Sequence, residues 1–352
     1  MARGPYRLPV AAVRPLTAES TEVRFDVPAE LAEVFAHEAG QHVTIVREED
    51  GEEVRRSYSI CAPARSGELA VGVRHLPAGR FSSWVADGLR PGDALDVLPP
   101  TGRFGPRIDP AASRHHAFVA AGSGITPVIS IVGTVLAEEP GSRCTVLYGN
   151  RRTDTIMFVE ELEDLKNRHP SRLQLVHVLS REPQPVPLLE GRLDAERLGA
   201  LLDALLPPDS VDEWYLCGPF EMVRAARALL RERGVDGARI HRELFHADPA
   251  PVARDPEPDT AGAMVTIVLG GRRTTFAVDG GSILEAALRA RSDAPYACKG
   301  GMCGTCRCRL VEGEVAMDHA YALEEDEVGA GVVLACQAHP RSERIVLDFD
   351  AR

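Results

Sequence analysis

Cys298-Lys-Gly-Gly-Met-Cys303-Gly-Thr-Cys306 is the stretch on which the reading of this chain turns, with Cys336 as a fourth thiol further on. The spacing C-x4-C-x2-C followed by a distant cysteine is that of a plant-type [2Fe–2S] cluster. Gly300, Gly301 and Gly304 fall where a loop wrapping an inorganic core needs unusual dihedrals and close backbone approach. Such a loop also turns backbone N–H groups toward sulfur, which tunes a reduction potential. A structural zinc site or a set of buried thiols is the alternative, although zinc motifs usually pair two short Cys-x-x-Cys knuckles.

Five of the eight cysteines (298, 303, 306, 308 and 336) crowd into the last fifth of the chain. Met1 to Tyr6 lacks the basic-then-apolar pattern of a secretory signal, so a cytoplasmic location with reduced thiols is expected, and there clustering favours metal ligation over disulfides. Cys308 sits on a run that leaves the loop as a strand and is not expected to ligate. Cys61 and Cys144, in apolar runs, read as small buried hydrophobes.

At 352 residues the chain exceeds what one core usually organises, which predicts two or three domains. Apolar residues make up 44% and charged ones 26%, an ordinary globular composition. Acidic residues outnumber basic ones 52 to 40, and a net charge of −12 excludes a nonspecific phosphate-backbone binder, so no nucleic-acid partner is expected. The uncharged stretch 117–137 is broken by Gly122, Ser123, Gly124, Thr126 and Pro127, so no membrane span is expected either.

Between residues 6 and 107, β-rich runs at 21–25, 42–46, 56–60, 69–73 and 93–97 alternate with turn signals, which predicts an antiparallel barrel. From His116 to about Phe245, strand-like runs at 117–120, 144–148, 173–178 and 213–216 alternate with helical stretches, which predicts a parallel α/β sheet. A stretch rich in Pro, Asp and Ala follows and reads as a linker. Beyond it come a strand pair, 264–269 and 274–278, and a helix opening on the capping box Ser282-Ile-Leu-Glu285. The expected domains are 1–108, 109–246 and 263–352, with 247–262 as the linker.

Phe118-Val-Ala-Ala-Gly122-Ser-Gly124-Ile-Thr126-Pro127 is a strand running through a glycine turn into a helix, able to present N–H groups to a pyrophosphate or merely to turn tightly. Pro127 stands where the full dinucleotide fingerprint has its third glycine. Cys217-Gly218-Pro219 and Ser180-Arg181 lie at other strand ends of the same sheet, where a ligand crevice belongs. Ser180 and Arg181 suit the 2′-phosphate of NADPH, or are solvated surface residues. In the first domain, Arg56-Ser-Tyr58-Ser59 offers a cation, an aromatic ring and a hydroxyl to a flavin, and Gly79-Arg-Phe-Ser82 leads into a helix that can cradle a second phosphate.

Arg56, Tyr58, Ser59, Gly79, Ser82, Gly122, Gly124, Pro127, Cys217, Gly218 and Pro219 occur in the order and spacing of the ferredoxin-NADP reductase family, which the first 246 residues or so resemble. The tail resembles a plant-type ferredoxin of β-grasp fold. Gly301-Met-Cys-Gly-Thr-Cys-Arg-Cys308, Tyr321-Ala-Leu-Glu-Glu-Asp-Glu-Val328 and Val333-Leu-Ala-Cys336-Gln-Ala are similar to the reductase subunits of phenylacetyl-CoA epoxidases. The resemblance implies a multi-domain NADPH-dependent oxidoreductase holding FAD and one [2Fe–2S] cluster on Cys298, Cys303, Cys306 and Cys336, with a separate di-iron oxygenase as electron acceptor. It also implies a flavin hydrogen bond from Ser59, a positioning role for Cys217 at the nicotinamide, and an aromatic, Phe245, against the flavin or in the core. Reductases of Rieske carnitine-type or alkane-type oxygenases share this layout, and a redox-sensing regulator is the reading from another class. Glu324, Glu325, Asp326 and Glu327 either meet a basic oxygenase face or form a solvated turn.

Overall fold

The structure is a computed structural model describing residues 4–49, 51–76, 79–245 and 262–351. The expected linker at 247–262 lies, Gly262 apart, outside the described residues. Two compact units emerge, Pro5–Glu53 with Tyr58–Phe245 forming the larger.

Its first part is a six-stranded sheet of β1 (Tyr6–Thr17), β2 (Ser20–Phe25), β3 (His42–Glu49), β4 (Glu52–Ser59), β5 (Leu69–Arg74) and β6 (Ala94–Thr101), in the order β4-β3-β6-β1-β2-β5. Ile60, just past β4, bridges Val71 of β5 antiparallel, so the two edge strands meet and the expected barrel closes. Closure leaves fewer unpaired edges and turns Leu8, Val23, Ile45, Val71 and Val97 inward, where each is fully buried. β1 is the one barrel strand absent from the sequence reading. Pro9 and Pro15 interrupt its pattern, yet register places them opposite Ala94 and Thr21. A short helix α1 (Ala32–Phe35) and the helix α2 (Arg80–Asp87) flank the barrel.

The second part is a parallel sheet of β7 (His115–Ala121), β8 (Arg143–Asn150), β9 (Leu173–Leu179), β10 (Glu213–Gly218) and β11 (Ile240–Leu244), ordered β11-β10-β7-β8-β9. The chain builds outward from β7 through β8 to β9 and then crosses to β10, so the order reverses between β7 and β10. That reversal opens a crevice beyond the strands' carboxyl ends. Helices α3 (Ile125–Glu138), α4 (Val159–Arg168), α5 (Ala195–Leu205) and α6 (Phe220–Glu232) connect the strands. The uncharged stretch 117–137 resolves into β7, a turn and α3, and among the described residues no helix is long and apolar enough to cross a membrane.

One continuous core joins barrel and sheet. β5 presses so closely on α3 that a Cβ on Gly72 would stand 2.7 Å from Thr126 Cγ2 and 3.1 Å from Phe158 Cζ. Hydrogen bonds from Ser130 Oγ to the Ala62 carbonyl (2.7 Å, buried) and from the Ala64 N–H to Thr134 Oγ1 (2.8 Å, partly buried) fix the same contact.

The smaller unit carries β12 (Ala263–Leu269), β13 (Arg272–Val278), α7 (Ile283–Ala290), β14 (Arg307–Glu312), β15 (Val315–Met317), α8 (Glu325–Gly329), β16 (Val332–Leu334), β17 (Ala338–Pro340) and β18 (Arg344–Asp348). Its main sheet runs β13-β12-β18-β14-β16, with β12 and β18 parallel at the centre, as a β-grasp requires. The Ser282 capping box forms as expected: Ser282 Oγ accepts from the Glu285 N–H at 3.3 Å, and Glu285 Oε2 accepts from the Ser282 N–H at 3.0 Å. Val265, Ile267, Ile283, Leu347 and Phe349 fill the core beneath α7.

Candidate functional site

The crevice is built first from backbone. Gly122 opens the turn after β7 in a left-handed conformation, with φ 54°. Gly124 closes it, and a Cβ there would lie 2.1 Å from the Cys217 carbonyl oxygen and 2.9 Å from the Gly218 nitrogen. Glycine is therefore required so that the first turn of α3 can slide beneath the end of β10. Thr126 Oγ1 donates to the Ser123 carbonyl at 3.0 Å, and Pro127 sits in the first turn of α3, where no intrahelical donor is lost.

Cys217 is fully enclosed, and burial together with the nearby Glu243 carboxyl pushes its thiol well above the usual range. It stays protonated at neutral pH, which suits a positioning group rather than a nucleophile. Pro219 leads into α6 and Gly218 packs against Met222. At the neighbouring strand end, the Ser180 and Arg181 N–H groups donate to the carbonyls of Asn150 (2.9 Å) and Arg151 (2.8 Å), so both residues cap β9 beside β8. The Arg181 side chain is exposed.

Ser59 ends β4 and is buried, and its Oγ donates to Glu243 Oε2 at 2.7 Å. Glu243 lies opposite Cys217 in the β10–β11 register. Burial raises its carboxyl to about 7, against the lowering effect of the Ser59 hydrogen bond. His42, at the start of β3, stands 3.9 Å from Glu243 Oε1, and burial lowers its imidazole to about 4. The structure thus brings Ser59 and Cys217 together through Glu243, a residue the sequence reading missed. A signal was available: Glu243 and Phe245 are two apart on β11 and its continuation, so they share a face. Phe245 itself is half-buried against the core.

Tyr58 packs its ring 5.6 Å from Phe81, and Arg56 is exposed one residue before Ser57. Gly79 is the N-cap of α2, and Ser82 accepts from the Leu76 N–H (3.1 Å) while donating to the Gly79 carbonyl (3.2 Å). The Ser82 hydroxyl therefore shapes the loop, leaving backbone donors at the helix start for an anion.

In the smaller unit the four expected thiols form two pairs, Cys298 with Cys303 and Cys306 with Cys336. Hydrogen bonding from Cys303 holds Cys298 below the ordinary thiol range, aided by backbone N–H groups; those of Gly300 and Cys303 each lie 3.4 Å from its sulfur. Cys306 likewise holds Cys336 below the ordinary thiol range. Gly301 and Gly304 are left-handed, with φ of 75° and 67°, so the loop turns its amides inward as its glycines predict. Two thiol pairs suit a binuclear cluster, which takes two thiolates per iron, and among the described residues no three or more His, Cys, Asp or Glu gather as ligands of a single ion. Cys308 instead turns its buried thiol to the Val333 carbonyl at 3.8 Å, and Cys61 and Cys144 are buried as expected.

Three family models match in the order of these sites: an oxidoreductase FAD-binding domain at residues 7–105, an oxidoreductase NAD-binding domain at 118–228, and a 2Fe-2S iron-sulfur cluster binding domain at 267–341. The chain is 42% identical to a subunit of the 1,2-phenylacetyl-CoA epoxidase of Escherichia coli, over 99% of this chain and 98% of that one. The chain belongs to the ferredoxin reductases of oxygenase systems. This oxidoreductase family includes the ferredoxin reductase component of 3-ketosteroid-9-alpha-monooxygenase from Rhodococcus rhodochrous, 33% identical over 97% of this chain and 96% of the relative. Phthalate dioxygenase reductase shares the fold, with a TM-score of 0.62 at 24% identity, over 98% of both chains. The reductase therefore has the multi-domain architecture its sequence predicts: antiparallel flavin barrel, parallel nucleotide sheet and ferredoxin domain.

Proposed function

We propose that this reductase draws electrons from NADPH and delivers them to the di-iron oxygenase component of a phenylacetyl-CoA epoxidase. The 42% identity to the Escherichia coli epoxidase subunit, sustained over 99% of the chain, carries this reading. When bound, FAD would take two electrons from the nicotinamide as a hydride and give them up singly, and a [2Fe–2S] cluster would pass each one on.

The residues fit these groups. Arg56 offers its exposed guanidinium to a phosphate, Tyr58 offers a ring face, and Gly79 and Ser82 hold the start of α2 ready for a second phosphate. Ser59 Oγ donates to Glu243 Oε2 at 2.7 Å, and this buried pair would hold and orient the proton that a bound flavin takes as its hydrogen bond. Gly122, Gly124, Thr126 and Pro127 shape the pyrophosphate turn. Cys217, Gly218 and Pro219 position the nicotinamide. Ser180 and Arg181 receive the 2′-phosphate, which selects NADPH over NADH, and Phe245 covers the flavin. Cys298 with Cys303 and Cys306 with Cys336 each hold one iron. The domains span 1–108, 109–246 and 263–352, and the protein works in the cytoplasm.

The test measures NADPH oxidation by the purified reductase with the purified di-iron oxygenase, with and without phenylacetyl-CoA, against cytochrome c reduction as control. Stimulation by the thioester with product formed is expected. Its absence while cytochrome c is still reduced would overturn the epoxidase assignment and point to another oxygenase.

A further inference from the structure

Gln337 follows the fourth cysteine directly, and the cysteine spacing assigns it no role. The residue is 7% exposed, too enclosed for solvent to satisfy the amide. Nε2 lies 2.8 Å from the Lys299 carbonyl oxygen, 3.1 Å from the Cys336 carbonyl oxygen and 3.6 Å from Cys336 Sγ. Carbonyl oxygens only accept, so two of them facing one end of the amide fix that end as nitrogen. One N–H is spent on Lys299. The other is shared between the carbonyl and the sulfur of Cys336, at a separation ordinary for a sulfur acceptor.

The surroundings hold this arrangement. Lys299 is left-handed, with φ 52°, which turns its carbonyl toward Gln337. Gly301 leaves room for the side chain, since a Cβ there would lie 3.0 Å from Gln337 Cγ. The Gln337 backbone is pinned by its N–H to the Leu334 carbonyl (2.9 Å) and by its carbonyl to the Asp318 N–H (3.0 Å). The amide therefore ties the 298–303 loop, which carries one thiol pair, to a cysteine of the other pair.

We infer that Gln337 is a positioning residue that sets the reduction potential of the cluster, by donating to the Cys336 sulfur while locking the Lys299 peptide. The inference rests on the assignment of the four cysteines proposed above. Reduction adds one electron to the cluster and breaks no bond, so the thiolates become more negative and an N–H donor stabilises the reduced form more than the oxidised one. Removing the donor disfavours reduction. A tenfold loss in the reduction equilibrium corresponds to about 59 mV for one electron.

The test uses the full chain, loaded with flavin and cluster. Iron and sulfide content, the cluster midpoint potential by mediated titration with electron paramagnetic resonance, and NADPH–ferricyanide activity are compared for wild type, Gln337→Leu and Gln337→Glu. Both variants are expected to retain two irons and ferricyanide activity while the potential falls at least tenfold in equilibrium, about 59 mV. A potential at or above the wild-type value, with iron retained, overturns the inference. If both variants lose iron, the reduced wild-type protein labelled with 15N at glutamine side chains decides: hyperfine coupling to that nitrogen supports the contact, and its absence refutes it. A wild-type chain without two irons and two sulfides overturns the cysteine assignment itself, which separates that failure from this one.

Discussion

Glu243→Gln tests the centre of the larger unit most directly. The glutamine keeps an oxygen to accept from Ser59 Oγ, now 2.7 Å from Glu243 Oε2, and removes only the titration. Folding lifts the Glu243 carboxyl from an ordinary 4.5 to about 7, by burial of a side chain that is 17% exposed. The folded state therefore holds its proton more tightly than the unfolded chain. Below pH 4.5 both are protonated and the full contribution is present. As pH rises toward 7 the unfolded chain releases its proton first, and stability is lost. A rise of roughly 2.5 pH units, at about 1.4 kcal/mol each, amounts to about 3 kcal/mol, of which about 2.5 kcal/mol falls between pH 5 and 8. Thermal unfolding of wild type and Glu243→Gln across that range is the assay, and the wild-type midpoint should drop by about 5–10 °C more than the variant's. A protonated-carboxyl infrared band lost near pH 7 in wild type and absent from the variant should accompany it. Equal midpoint drops, or a wild type that gains on the variant as pH rises, would refute the reasoning.

Gly124→Ala should cost about 3 kcal/mol, the upper end for overpacking, because the obstructing atoms are Cys217 and Gly218 backbone; thermal melts and a raised KM for NADPH would show it, while iron content stays unchanged. Arg181→Ala should lower kcat/KM for NADPH about 10- to 100-fold, the value of a charge-assisted hydrogen bond, and leave NADH use untouched; equal losses with both nucleotides would remove the 2′-phosphate assignment. Cys303→Ala should lose the cluster and cytochrome c reduction but keep NADPH–ferricyanide activity. Cys308→Ala, whose thiol faces the Val333 carbonyl, should keep both irons by chemical analysis.

Whatever contiguous residues carry was legible without coordinates. The C-x4-C-x2-C loop, the glycine turn after β7, the Ser282 capping box and the two periodicities are local, because backbone dihedrals and side-chain spacing act over a few residues. They were enough for the family and the three-part architecture. Local pattern failed at β1, where Pro9 and Pro15 argue against a strand that pairing nonetheless accommodates. Tertiary structure alone decided what depends on strand order. Ser59 and Glu243 are 184 residues apart and meet because the chain crosses back past β7 before laying β10 and β11. The same crossing brings the Cys217 carbonyl over Gly124, and burial there turns an ordinary glutamate into a group that titrates near neutrality. Periodicity shows which face a residue takes; it does not show which distant strand lies opposite, and the hydrogen bonds and desolvation that set this site's chemistry come from that neighbour.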